Sequence, residues 1–130
     1  MLENIFKKKA EKLLEQFNEK QYLLVIRETK LLLKKVPNNL FLLNLIGSSL
    51  QNLGDLSSAK KIFKNILEMD NKNTSALNNL GNVYKNLKDY SSAEENYKKA
   101  IILNPTFINA LVNYGSLKYE LNNYEEAVEL

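Results

Sequence analysis

The sequence predicts an all-α fold, an α-solenoid of about three and a half stacked helical hairpins. Two observations carry that prediction. Gly47, Gly81 and Gly115 stand 34 residues apart, as do Ala59, Ala93 and Ala127, and self-similarity at one such period is the mark of a repeat array. Within residues 74–107, Leu77, Leu80, Gly81 and Tyr84 fall at i, i+3, i+4 and i+7; after a polar break at Lys88-Asp89, Ala93, Tyr97 and Ala100 fall at i, i+4 and i+7. Each set lines one face of a helix. Glycine inside a helix costs roughly 1 kcal/mol relative to alanine. One that recurs at a fixed phase therefore implies close approach of two helices, with Tyr84 and Tyr97 around the contact.

The elements follow in order, as a single array over residues 1–130. Residues 1–39 hold the most divergent repeat: Tyr22 and Pro37 keep the period of Tyr90 and Pro105, but Leu13 and Val25 replace the small residues. Terminal repeats, with a neighbour on one side only, are commonly atypical. Helices are expected near 2–17, with Ile5, Phe6, Leu13 and Phe17 apolar and the lysines solvated, and near 20–35. In residues 40–73, Leu43, Ile46, Gly47 and Leu50 mark a helix over 40–53, and Ala59, Phe63 and Ile66 mark one over 56–69. Gly54 between them can take the left-handed conformation that ends a helix. In residues 74–107, helices are expected over 74–87 and 90–103. Asp89 can cap the second of these, and Pro105 ends it by holding Asn104 out of helical geometry. Residues 108–130 begin a fourth repeat. Its first helix, over 108–121, carries Leu111, Tyr114, Leu117 and Leu121, and a second should start near Tyr124, where Asn123 and Glu126 have capping-box spacing. With that second helix under two turns long, the stripe lacks a full partner. The expectation is an exposed apolar end that self-associates, on a chain that is the amino-terminal module of a longer protein.

The series L-x-x-L-G-x-x-Y, Y-x-x-A-x-x-x-Y-x-x-A and L-N-P resembles the tetratricopeptide repeat; it is carried by Leu77, Leu80, Gly81, Tyr84, Tyr90, Ala93, Tyr97, Ala100 and Pro105. The resemblance implies a right-handed superhelix whose first helices line a concave groove. It also implies a protein–protein interaction scaffold that binds an extended or helical peptide in that groove. The peptide-binding positions it implies are Asn44 and Ser48 in the second repeat, Asn78, Asn79, Asn82, Lys85 and Asn86 in the third, and Asn113 in the fourth. Amide side chains donate and accept at once, so such a groove is nearly neutral and can grip a peptide main chain without reading its sequence closely. Asn79 and Asn113 are similar to the asparagine ladder of the O-linked N-acetylglucosamine transferase family, although Leu45 and Glu11 interrupt the ladder in the second and first repeats. Family members that clamp a terminal carboxylate on a chaperone are matched only at Lys85.

Composition excludes much else. The chain is 45% hydrophobic and 25% charged, the balance of a folded chain. It has no cysteine and no histidine, which removes disulfides, thiolate metal sites and the commonest general base. Glu94-Glu95 and Glu125-Glu126 are helix neighbours that point apart, and no Gly-Lys-Ser/Thr completes a phosphate loop. The reading is accordingly a non-enzyme without cofactor or metal. No run approaches the ~18 apolar residues of a membrane span. Lys7, Lys8, Lys9 and Lys12 break up the amino terminus before a signal-like run forms, and the expected location is cytoplasmic. Residues 1–37 carry nine basic and five acidic side chains, and residues 106–130 carry one lysine and four glutamates. The net charge of +3 keeps a helical-repeat nucleic-acid binder as the second reading. Phosphate contacts need clustered lysine and arginine, and one arginine, Arg27, with a neutral groove argues against it.

Overall fold

The computed structural model describes residues 1–129, with the side chains of all but Leu2 and 124–129 among them. Seven helices make it up: α1 Leu2–Asn18, α2 Tyr22–Leu33, α3 Leu40–Asn52, α4 Leu56–Met69, α5 Thr74–Asn86, α6 Tyr90–Leu103 and α7 Ile108–Glu129. No strand occurs among the described residues. The chain divides into two compact units, Met1–Ile62 and Phe63–Leu130, and the boundary falls within α4.

Three of the turns are one motif at the repeat period. Lys20, Gly54 and Lys88 have φ of 63°, 88° and 68°, the left-handed region. The amide after each reaches back to close the preceding helix: Gln21 N–H donates to Gln16 O, Asp55 N–H to Leu50 O and Asp89 N–H to Tyr84 O, all at 2.9 Å. This is the hydrogen-bond pattern of a Schellman helix end. Because Lys20 belongs to such a turn, α2 begins at Tyr22 and not at residue 20. Two of the helices that follow, α4 and α6, are capped by acidic side chains, with Asp55 accepting from Ser58 N–H at 3.2 Å and Asp89 from Ser92 N–H at 3.2 Å. Asn39 and Asn73 cap α3 and α5 at 3.0 and 2.9 Å. Part of the chain's asparagine content is therefore spent on satisfying helix ends.

The fourth turn does not form. The sequence expectation of a helix ending at 121 and another starting near Tyr124 is corrected: α7 runs unbroken from Ile108 to Glu129. Asn122 stands one period after Lys88 but lies inside the helix. In the third repeat the turn is compensated by α6, which buries Ala93, Tyr97 and Ala100 completely. Extending an existing helix adds one hydrogen bond per residue without a new nucleus, so continuation wins.

In the first unit, Leu13, Val25, Leu42 and Leu45 form the core, with Phe6, Phe17, Leu32 and Leu33 packed on it. Leu13 and Val25, which replace glycine and alanine, are buried and fill the space that small residues leave elsewhere. Phe17 meets Tyr22 edge-on across the α1–α2 turn, with ring centroids 5.4 Å apart. Ser49, buried in α3, returns its hydroxyl to Leu45 O at 2.9 Å.

In the second unit, α5 and α6 form the tightest hairpin, and α7 lies against both. Leu77, Ala100 and Ala110 form one core cluster, with Leu67, Ile101 and Phe107 around it. Ala93, Tyr97 and Leu117 form another, with Tyr84, Tyr90, Tyr114 and Leu121. Leu117 is thus fully buried, and Tyr114 and Leu121 pack beside it. Of the stripe expected to be left open on α7, Tyr114, Leu117 and Leu121 close against the α6 cluster, while Leu111 stays exposed. The exposed stripe joins Leu111 to Ile108, Val112 and Tyr119.

Candidate functional site

Six of the eight expected site residues fall in the second unit, on α5 and α7. Asn78 is 5% exposed, and its Oδ1 accepts a 2.9 Å hydrogen bond from Asn113 Nδ2. The amide pair joins the two helices side by side. Asn113 therefore bonds to the residue 35 positions before it, one position from Asn79, the rung that the 34-residue period marks. Asn79 is half-buried one position further around α5. Asn82 Oδ1 accepts from the Tyr97 hydroxyl, which ties α5 to α6 as well.

Lys85 is the cation of this face and is already engaged. Its Nζ donates to Ser116 Oγ at 3.1 Å and lies 3.2 Å from Glu120 Oε1, with 22% of the side chain exposed. Glu120 was not among the residues expected here. It lies one helical turn beyond Ser116, and that spacing is the one signal that could have pointed to it. Asn86 is exposed at the end of α5. The remaining two residues, Asn44 and Ser48, are half-buried on α3 in the first unit, where Ser48 O accepts from Asn52 Nδ2 at 2.7 Å.

The electrostatics of the second unit follow from these contacts. Burial raises the Tyr97 phenol well above its ordinary value, and the negative charge of Glu120 adds to the effect. Tyr97 is thereby held neutral as a donor to Asn82. On the outer side of α6, a hydrogen bond from Lys98, at 2.8 Å, lowers the Glu94 carboxyl and raises Lys98 in turn. Among the described residues, no group of three His, Cys, Asp or Glu side chains could hold a metal ion, and no helix is long and apolar enough to cross a membrane. The α5–α7 face thus offers a fixed set of amide and hydroxyl groups with a neutralised cation. It can exchange hydrogen bonds with a ligand in both directions.

Sequence profiles of the tetratricopeptide repeat match residues 42–73, 74–107 and 96–129. No curated protein matches the sequence. Among solved structures, the Sgt2 TPR domain from Aspergillus fumigatus has a TM-score of 0.81 at 19% identity, covering 92% of this chain and 81% of that one. The first TPR of Spaghetti (RPAP3), bound to the HSP90 peptide SRMEEVD, has a TM-score of 0.77 at 18% identity, covering 88% and 90%. The second TPR domain of the human RPAP3 protein, in complex with the HSP70 peptide SGPTIEEVD, has 0.73 at 15% identity, covering 85% and 92%. These likenesses bear out the all-α helical-repeat solenoid read from the sequence.

Proposed function

The chain belongs to the tetratricopeptide repeat family, and from that premise we propose that it is a non-catalytic protein-interaction scaffold whose α5–α7 face binds an extended peptide. One observation carries the proposal: Asn78–Asn113 and Lys85–Ser116–Glu120 hold α5 and α7 in register, so the polar groups on this face are positioned before any ligand arrives. Preorganisation of this kind reduces the ordering cost of binding. Asn79, Asn82, Asn86 and Asn113 then meet the peptide main chain, which offers a donor and an acceptor at each residue.

Two relatives are bound to peptides ending in Glu-Glu-Val-Asp. In this chain the cation that would meet a terminal carboxylate is committed to Glu120, so the grip rests on amides and not on a charge clamp. Asn79 and Asn113 act in it as main-chain contacts in the manner of an asparagine ladder. Asn44 and Ser48 offer polar groups of their own on α3 of the first unit. We place the repeats, at 1–39, 40–73, 74–107 and 108–130, in a cytoplasmic protein.

Titration of the chain with a Glu-Glu-Val-Asp peptide, with its amidated form and with a single-stranded oligonucleotide, each at two salt concentrations, tests this reading. The expected result is peptide binding that changes little on amidation and depends weakly on salt. Loss of affinity on amidation would mean a carboxylate clamp. Oligonucleotide binding that falls steeply with salt would instead establish the nucleic-acid reading.

A further inference from the structure

Lys85 is the one cation of α5, and Lys118 the one cation of α7. Lys118 is engaged by an aromatic ring: its Nζ lies 4.6 Å from the centre of Tyr114. Lys85 instead reaches across to α7, where Ser116 and Glu120 stand one helical turn apart on one face. The pairs Glu94–Lys98 and Glu95–Lys99 lie within α6, and Arg27–Glu28 joins neighbours in α2. Lys85–Glu120, at 3.2 Å, ties one helix to another. The Lys85 side chain is 22% exposed and that of Glu120 47%, so the carboxylate can turn out to water. The more deeply seated ammonium cannot, and it needs an anion beside it. The Glu120 charge also acts on the Tyr97 hydroxyl that donates to Asn82, so this anion stands close to an amide of the peptide face.

Given the peptide-binding reading of the α5–α7 face, on which this rests, we propose that Glu120 stands in for a ligand carboxylate at Lys85 and sets the specificity of the face. Its carboxylate fills the anion position beside Lys85 Nζ and Ser116 Oγ. A peptide carboxylate arriving there gains no ion pair unless it displaces Glu120. If it stays without displacing it, two carboxylates share one ammonium, and like charges brought together cost affinity. Glu120 competes from its own helix, at a local concentration that a free peptide does not match. A neutral stretch of peptide meets neither cost. The face therefore selects registers that keep acidic groups off Lys85, which is specificity by repulsion as well as by attraction. Glu120→Gln removes the charge, keeps an oxygen for Lys85 and opens the anion position.

Nuclear magnetic resonance titration of the 130-residue chain gives the test, first with sodium acetate against sodium chloride at equal ionic strength. In Glu120→Gln the Lys85 and Ser116 amides should respond to acetate at a concentration about two- to fivefold below that of the wild type, the size of effect that exposed ion pairs carry. The second probes are a Glu-Glu-Val-Asp peptide and its amidated form. The ratio of their affinities, near one in the wild type, should rise about two- to fivefold in Glu120→Gln in favour of the free acid. It should fall back in Lys85→Met/Glu120→Gln. A ratio cancels any change in how firmly α5 and α7 are held together. Circular dichroism melts establish that each variant folds, and Glu120→Ala replaces Glu120→Gln should that one fail. An acetate response equal in wild type and variant overturns the proposal. So does an unchanged ratio when both peptides bind. Should acetate separate the two proteins while neither binds peptide, the peptide reading fails and the hold of Glu120 on Lys85 stands.

Discussion

Tyr97 of α6 lies directly over Gly81 of α5: a Cβ built on Gly81 would stand 2.6 Å from Tyr97 Cε1 and 2.7 Å from Cδ1. The ring is fully buried and has no room to retreat. This contact is the packing reason for Gly81. Gly81→Ala should therefore destabilise the chain by about 1–3 kcal/mol through overpacking. Gly115→Ala, at the equivalent position of α7, meets open space and should stabilise by about 0.5–1 kcal/mol through helix propensity. Urea unfolding of the two variants in dilute solution should give shifts of opposite sign.

Lys20 and Lys88 hold the left-handed conformation that Gly54 adopts freely. A side chain in that region costs on the order of 1 kcal/mol, and both lysines are exposed. Lys88→Gly and Lys20→Gly should each raise stability by about 0.5–1 kcal/mol. The reverse change, Gly54→Lys, should lower it by a similar amount. Chemical denaturation midpoints read all three.

The helices of the middle repeats were legible because their signals are local. The glycine–alanine period, Asp89 and Pro105 place α5 and α6 to within a residue. What lies across a helix pair was less legible. The period marks Asn79 as the partner phase of Asn113, yet the bond goes to Asn78. A repeat length fixes phase along one helix and leaves open which of two adjacent residues faces a neighbour. Lys85 was visible as a groove cation, but its neutralisation by Glu120 depends on how α7 packs. The fourth turn was misread for a related reason: Asn122-Asn123 permit a turn, and whether one forms depends on what the next helix can bury.

Asn113 carries a structural role besides its place on the surface. Asn113→Ala removes the donor to Asn78 Oδ1, an atom of a residue only 5% exposed. An unsatisfied buried acceptor costs about 1–3 kcal/mol. The double variant Asn78→Ala/Asn113→Ala should lose less than the sum of the single losses, since the second change removes the orphaned group. A thermodynamic cycle from urea melts measures that coupling.

Burial raises the Tyr97 phenol above its ordinary value near 10, and Glu120 adds to the shift. The unfolded chain therefore releases this proton at lower pH than the folded one. The contribution is fully present below about pH 10 and is lost as pH rises toward the folded value. Stability should decline on the alkaline side of pH 10. Lysines titrate in the same range, so the control is Tyr97→Phe, which should flatten part of the decline while losing the hydrogen bond to Asn82.

The most direct test of the proposed function is the location of bound peptide. Amide resonances of the isotopically labelled chain, followed through a titration with a Glu-Glu-Val-Asp peptide, should shift along the exposed side of α5 and α7. The side-chain amides of Asn79, Asn82 and Asn86 should be among them. The outer side of α6, at Glu94, Glu95 and Lys98, should stay unmoved. Saturating shifts confined to α6, or to α1 and α2 with α5 and α7 unmoved, would contradict the assignment of the peptide site to the α5–α7 face.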